Sequence, residues 1–221
     1  MTGCNRRCLH VNASANAALP FLNVDNPRSL NDSLGHDMGD RLLYRIAARL
    51  TQPHLSVAVN VSARQFHHPQ YTRHVQTILE RTRAPVERIT LELTESLLLV
   101  DIDDTISKKE QLRSLGVRFS LDDFGTGYSS LAYLERLPLD ELKIDRSFVQ
   151  EALIDANDAA IVRTIIVLAQ TMGLHVIAEG VETEAVRTLL EESGCTAYQG
   201  CLFGRPLPAS DFDAVLQDRM E

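Results

Sequence analysis

From residue 52 onward the chain alternates short β-branched and apolar runs with longer stretches in which apolar residues recur every three or four positions. The strand-like runs are LSVAVN (55–60), RITLEL (88–93), VRFSL (117–121), ELKI (141–144), LHVIAE (174–179) and the less clearly patterned AYQGC (197–201). Helical spacing is clearest over 157–172, where Ile161, Val162, Ile165, Ile166 and Ala169 make one apolar stripe and Gly173 stands where a helix-ending glycine belongs. Such alternation predicts an α/β fold with a parallel sheet, doubly wound or closed into a barrel. Upstream the pattern changes. Residues 1–20 read as irregular and FLNV (21–24) as a short strand. Leu42, Leu43, Ile46, Ala47 and Leu50 form the apolar side of an amphipathic helix over 37–50, which Gln52-Pro53 ends. A boundary is therefore set near residue 52.

Each strand-like run finishes with a polar or ionisable residue: Asn60, Glu92, the pair Asp122 and Asp123, Lys143, Glu179 and Gln199. For one such residue alone, a helix cap or a solvated loop position is the commoner explanation. Six in register, three of them contributing four carboxylates between them, point elsewhere, because strand ends in a (β/α) barrel converge on one face where the active site lies. Carboxylates gathered in one pocket repel one another unless cations sit among them, and Mg²⁺ and Ca²⁺ prefer oxygen ligands. Two divalent ions sharing a bridging aspartate form the clamp used for in-line phosphoryl displacement. In such a site Lys143 would orient or deprotonate the attacking water, steady charge on a phosphate, or simply pair with one of the acids. The loop after Asp123 carries Gly125 and Gly127 and is expected to act as a mobile polar lid. No Ser-His-Asp or Cys-His arrangement competes, the GTG at 125–127 is too short for a dinucleotide loop, and no GxxxxGK[ST] occurs.

Composition changes this picture in three ways. At 221 residues the chain is short of the roughly 250 typical of a complete α/β barrel. With 44% hydrophobic and 24% charged residues it is ordinary for a soluble protein; no apolar run approaches the roughly 20 residues that span a bilayer, so a cytoplasmic location without membrane contact is expected. The net charge is −8, and residues 1–50 hold six Arg against four Asp, so the acidity belongs to the remainder. Duplex DNA is a poor partner for such a chain, and a phosphate substrate would need metal for positive charge. Cys4, Cys8 and His10 lack a fourth zinc ligand at finger spacing, so reduced, structurally incidental thiols are the default for these and for Cys195 and Cys201.

The segments NVSARQF (60–66), LELTES (91–96), LDDFGTGYSSL (121–131), LKIDRSFV (142–149), VIAEGVET (176–183) and GRPLP (204–208) resemble, in order, the motifs of EAL-domain cyclic di-GMP phosphodiesterases. The resemblance implies a modified TIM barrel that opens cyclic di-GMP to the linear dinucleotide with Mg²⁺ or Mn²⁺. It makes Asn60, Glu92 and Asp122 ligands of a first metal, with Asp122 bridging to a second held with Asp123 and Glu179. Lys143 matches the family's water-orienting lysine and Gln199 a polar residue beside it. Glu95 matches the glutamate that anchors the loop after the paired aspartates, a loop linked to substrate, metal and homodimer formation.

The family's Glu-Ala-Leu motif is absent, and no glutamate of any kind precedes Glu80. Upstream, TGCNRRCL (2–9) and FLNVDNPRSLNDSLGHDMGDRLL (21–43) resemble the front of a GGDEF diguanylate cyclase domain. Asn31 and Asp40 match guanine-contacting positions, Asn23 stands for a metal-binding aspartate and Pro27 for a phenylalanine. The expected organisation is a truncated GGDEF-like segment over 1–51, then a partial EAL domain over 52–221 that lacks its first strand-helix units. The expected fold is an incomplete TIM-type (β/α) barrel behind a short α/β remnant. The missing glutamate predicts weakened metal binding and little or no turnover, leaving an impaired phosphodiesterase or an inactive module that binds cyclic di-GMP or a protein.

Overall fold

The architecture comes from a computed structural model, which describes residues 10–12, 18–19, 56–95, 97, 101–127 and 131–204. The expected 21–24 strand, the 37–50 helix, and Asn23, Pro27, Asn31 and Asp40 lie outside the described residues. The strands are β1 His10–Asn12, β2 Ala18–Leu19, β3 Val57–Val61, β4 Ile89–Thr94, β5 Arg118–Phe124, β6 Glu141–Ile144, β7 His175–Glu179 and β8 Ala197–Gln199. The helices are α1 Ala63–Phe66, α2 Tyr71–Thr82, α3 Ile102–Ser114, α4 Leu131–Arg136, α5 Arg146–Glu151, α6 Ala156–Thr171 and α7 Glu184–Glu192.

All eight strands join one sheet in the order β2-β1-β8-β7-β6-β5-β4-β3. β3 to β8 run parallel, each beside the next, and curl as a TIM-barrel-like half-barrel. β1 and β2 continue it antiparallel past β8, with His10 opposite both Gln199 and Leu19. Residues 1–20 are thus not wholly irregular. Strands of three and two residues are too short to display a period of two, and here the edge of β8 supplies the partner.

Side chains alternate across a strand, so each strand presents two different faces. Val57, Val59, Val61, Ile89, Leu91, Leu93, Phe119, Leu121, Leu142, Ile144, Ala178 and Tyr198 belong to the apolar core, where they meet the buried sides of the helices. The intervening positions, Asn60, Thr90, Glu92, Ser120, Asp122, Glu141, Lys143, Glu179 and Gln199, share the opposite, concave face. This division explains why the runs are mixed rather than continuously apolar. α6 begins where Asp155 accepts from the Asn157 N–H, buries Ala159, Val162, Ile165, Ile166 and Ala169, and is followed by Gly173 at φ +71°. The spacing placed it within one residue at each end.

α3 breaks the pattern. Its inward side carries Thr105, Lys109 and Leu112, all fully buried. Lys109 Nζ lies 4.8 Å from the centroid of the Phe119 ring and has no hydrogen-bond partner, and Thr105 Oγ1 has none either. Burial pushes the Lys109 amine down to about 7, while the nearby Asp140 carboxylate acts in the opposite direction. A buried donor without a partner costs about 1–3 kcal/mol. Lys109→Met, which keeps the length and drops the amine, is expected to raise the melting temperature by several degrees, at roughly 2–4 °C per kcal/mol for a chain of this size. Because Lys109 is protonated less in the folded state than in the unfolded one between pH 7 and about 10.4, its contribution to the parent's stability rises with pH across that window. Chemical denaturation at pH 7 and 9 checks both effects; the variant should lose that part of the slope.

Candidate functional site

Four neighbouring strands, β4 to β7, bring Glu92, Asp122, Lys143 and Glu179 together on the concave face. Lys143 and Glu92 are fully buried, Asp122 is 8% exposed, and Lys143 Nζ lies 2.9 Å from Glu92 Oε1, 3.2 Å from Asp122 Oδ1 and in direct contact with Glu179 Oε1. Burial disfavours the charge on Lys143, yet Asp122, Glu179 and Glu92 together hold its ammonium well above the ordinary lysine range. The acids respond in the opposite sense to their own crowding. Burial pushes Glu92 up to about 8 and Glu179 up to about 7; Lys143 pulls both down, and the neighbouring carboxylates push them up again. One ammonium is shared among three carboxylates, so the cluster has room for more positive charge.

Asp123 reaches the same pocket by breaking the alternation. Asp122 points to the concave face, and an ordinary strand would turn Asp123 away from it. Instead the register between β5 and β6 shifts after Leu121 and resumes at Phe124 opposite Ile144, while Asp123 takes φ +55°. This is a β-bulge, with an aspartate in the left-handed region that aspartate tolerates better than most residues. Asp122 Oδ1 accepts from the Asp123 N–H at 3.1 Å, and the Thr126 hydroxyl donates to the Asp123 carbonyl at 2.9 Å. Carboxylate oxygens of Asp122, Asp123 and Glu179 consequently lie within 4.8 Å of one another. Sequence spacing ended the strand at residue 121; backbone pairing carries it through both aspartates.

Asn60 ends the same face on β3, in register with Glu92, and Gln199 closes β8 in register with Glu179. Glu95 is buried just beyond β4, where its Oε2 accepts from the Gly127 N–H at 3.1 Å. A Cβ on Gly127 would come within 3.0 Å of Glu95 Cδ, so the loop backbone can approach that carboxylate closely because residue 127 is glycine. Asp145 was not foreseen from the sequence. It caps α5 by accepting from the Ser147 N–H at 2.9 Å, and it lies beside Asp123, whose carboxyl is pushed up to about 6 by burial, by Asp122 and by Asp145. Its place two residues beyond Lys143 was the available signal.

The donor set suits divalent cations. Glu92 Oε2 is buried without a hydrogen bond, Oε1 meets Lys143, and three further carboxylates converge beside it. All-oxygen ligands of this kind fit Mg²⁺ or Mn²⁺ better than softer metals.

Residues 15–206 match the EAL domain family. The chain belongs to that family. It is 49% identical over 154 residues to the bifunctional diguanylate cyclase/cyclic di-GMP phosphodiesterase MucR of Pseudomonas aeruginosa, an alignment covering 70% of this chain and 22% of MucR. It is 43% identical over 186 residues to the cyclic di-GMP phosphodiesterase NbdA of the same organism, covering 81% of this chain and 24% of NbdA. The chain therefore spans about a quarter of the length of these curated relatives. A solved structure of PaMucR phosphodiesterase in complex with c-di-GMP shares the fold at TM-score 0.83 and 37% identity, covering 94% of this chain and 92% of that one. The EAL family match begins at residue 15, upstream of the boundary expected near residue 52. No helix among the described residues is long and apolar enough to cross a membrane.

Removing Lys143 leaves three buried acids without their counter-charge, a change that typically costs about 3–5 kcal/mol. Lys143→Met is expected to unfold at much lower denaturant concentration than the parent at pH 8 and to recover as the pH falls toward 5. The sign follows from Glu92, Glu179 and Asp123, which hold protons more readily folded than unfolded, so acidification favours the folded state. Denaturation midpoints across that range provide the check.

Proposed function

We propose that this chain is an EAL-type phosphodiesterase that hydrolyses cyclic di-GMP to the linear dinucleotide with reduced turnover. The observation that carries the reading is the convergence of Glu92, Asp122, Asp123 and Glu179 around the buried Lys143. In this reading Asn60, Glu92 and Asp122 hold one Mg²⁺ or Mn²⁺ and Asp122, Asp123 and Glu179 hold another. Bound there, the ions would supply the charge neutralisation and acidified water that in-line displacement at a phosphodiester requires. Lys143 keeps its proton among the acids, so its role is to donate. It orients water by hydrogen bonding and steadies phosphate charge rather than abstracting a proton. Glu95 fixes the backbone of the loop beside the bulge through Gly127, and Gln199 lines the β8 end of the pocket.

Reduced turnover follows from the donor count. With no glutamate before Glu80, no upstream glutamate stands in for the early-strand acid of the EAL motif. The first ion then relies on Asn60, Glu92 and Asp122, and loses affinity relative to a site with one more carboxylate. The pairing of β1 with β8 supports a related reading of the front of the chain, in which the GGDEF-like segment over 1–51 serves as a patch on the sheet where the missing strand-helix units would lie. The same absent glutamate favours the runner-up, an EAL module that binds cyclic di-GMP without cleaving it.

Incubation of the full chain with cyclic di-GMP and Mn²⁺ or Mg²⁺, followed by chromatography, tests the proposal. Slow formation of the linear dinucleotide, abolished by Asp122→Ala, is the expected result. Calorimetric binding without product would replace it with the binding module, and absence of both product and binding would overturn either reading.

A further inference from the structure

The loop that follows the paired aspartates is tied down from a direction that the metal pocket does not explain. Gly127 is held by Glu95, and two positions beyond Glu95 lies the fully buried Leu97. The Leu97 carbonyl accepts from His67 Nε2 at 3.3 Å. His67 is the residue that ends α1, the helix that follows Asn60 and β3, and its side chain is 19% exposed. The other ring nitrogen, Nδ1, lies 3.5 Å from Asp104 Oδ2 in the first turn of α3. Asp104 also pairs with Lys108 Nζ at 2.7 Å, so Asp104 and Lys108 are the charged groups that face the ring from α3. The Phe66 ring packs edge-on beside it from its own helix.

The partners decide the chemistry of the imidazole. A carbonyl and a carboxylate are both acceptors, and a neutral imidazole carries a single N–H. The ring is therefore aimed at an acceptor on each side, one on the turn beyond β4 and one on α3. The same turn of α3 also holds the far side of the loop, since Arg136 at the end of α4 pairs with Asp103 at 2.9 Å. That bridge is largely exposed and therefore weak, which leaves the His67 strut as the better shielded of the two ties.

We propose that His67 is a positioning residue for the loop after Asp122 and Asp123: bridging the Leu97 carbonyl and Asp104, it fixes the backbone beside Glu95 and so the Glu95–Gly127 hydrogen bond. The inference rests on the reading of that loop as the lid of the proposed phosphodiesterase site. Its consequence is that order in the loop depends on the His67 bridge, without any change at the metal ligands themselves.

Hydrogen exchange at the Gly127 amide, followed by NMR on the full chain and corrected for intrinsic exchange, reads this directly. His67→Ala and Asp104→Asn should each lower protection at Gly127 by about tenfold, approaching the effect of Glu95→Gln, and His67→Ala combined with Glu95→Gln should add little to Glu95→Gln alone. His67→Gln, which keeps a donor for Leu97 but loses the ring contact with Asp104, should retain part of the protection that His67→Ala loses. Unchanged protection in His67→Ala beside a loss in Glu95→Gln would overturn the proposal, as would full additivity in the double variant. If His67→Ala fails to fold, Asp104→Asn and His67→Gln decide. No substrate is present, so a chain that neither cleaves nor binds cyclic di-GMP would defeat the proposed function and leave this test standing.

Discussion

A fully buried lysine among carboxylates is the constraint around which the described half-barrel is arranged. An isolated charge removed from water costs several kcal/mol or more, and the Lys143 ammonium is tolerable because three acids meet it from β4, β5 and β7. Those acids can meet it only if four strands lie side by side in one parallel register. That register in turn depends on the other face, where Leu91, Leu93, Leu121, Leu142 and Ile144 are packed away from water. A slip of one residue in any strand would exchange the two faces, burying acids against helices and turning leucines into the pocket. The apolar and ionic halves of the structure thus enforce each other.

Within this regular scheme one local irregularity provides much of the chemistry. Alternation would allow β5 a single acid in the pocket at this level, and the bulge at Asp123 gives it two. The backbone conformation costs something for any residue with a Cβ, and Asp123 recovers part of that cost through the local hydrogen bonds of Asp122 and Thr126. Conformational strain stored beside a cluster of like charges is characteristic of a site shaped for a ligand rather than for stability. Glu95 and Gly127 then hold the departing chain in place, so the geometry of the two aspartates does not depend on the strand alone.

The sequence made the parallel strands legible because each carries enough apolar positions to show its period, and β6 was found at its observed bounds of Glu141–Ile144. The convergence of the strand-end residues on one face was legible for a related reason, since polar residues at the ends of apolar runs stand out. What escaped was anything fixed by pairing across the chain. β1 and β2 are too short to have a pattern, the extension of β5 through Asp122 and Asp123 depends on hydrogen bonds to β6, and Asp145 looks like an ordinary helix cap until its contact with Asp123 is known. Lys109 misleads in the other direction, because a charged residue between apolar helix positions reads as solvent-facing although it is fully buried.

If the bulge and the Lys143 cluster together make a divalent-cation site, then loss of either carboxylate that the bulge aligns should weaken the metal directly, whatever the rate of catalysis. Calorimetric titration of Mn²⁺ into the full chain, and into Asp123→Asn and Glu179→Gln, measures this without substrate. Saturable binding by the parent that weakens by about tenfold or more in each variant, equivalent to roughly 1.4 kcal/mol, is the expected result. Binding that is absent in the parent, or that survives both substitutions unchanged, would contradict it.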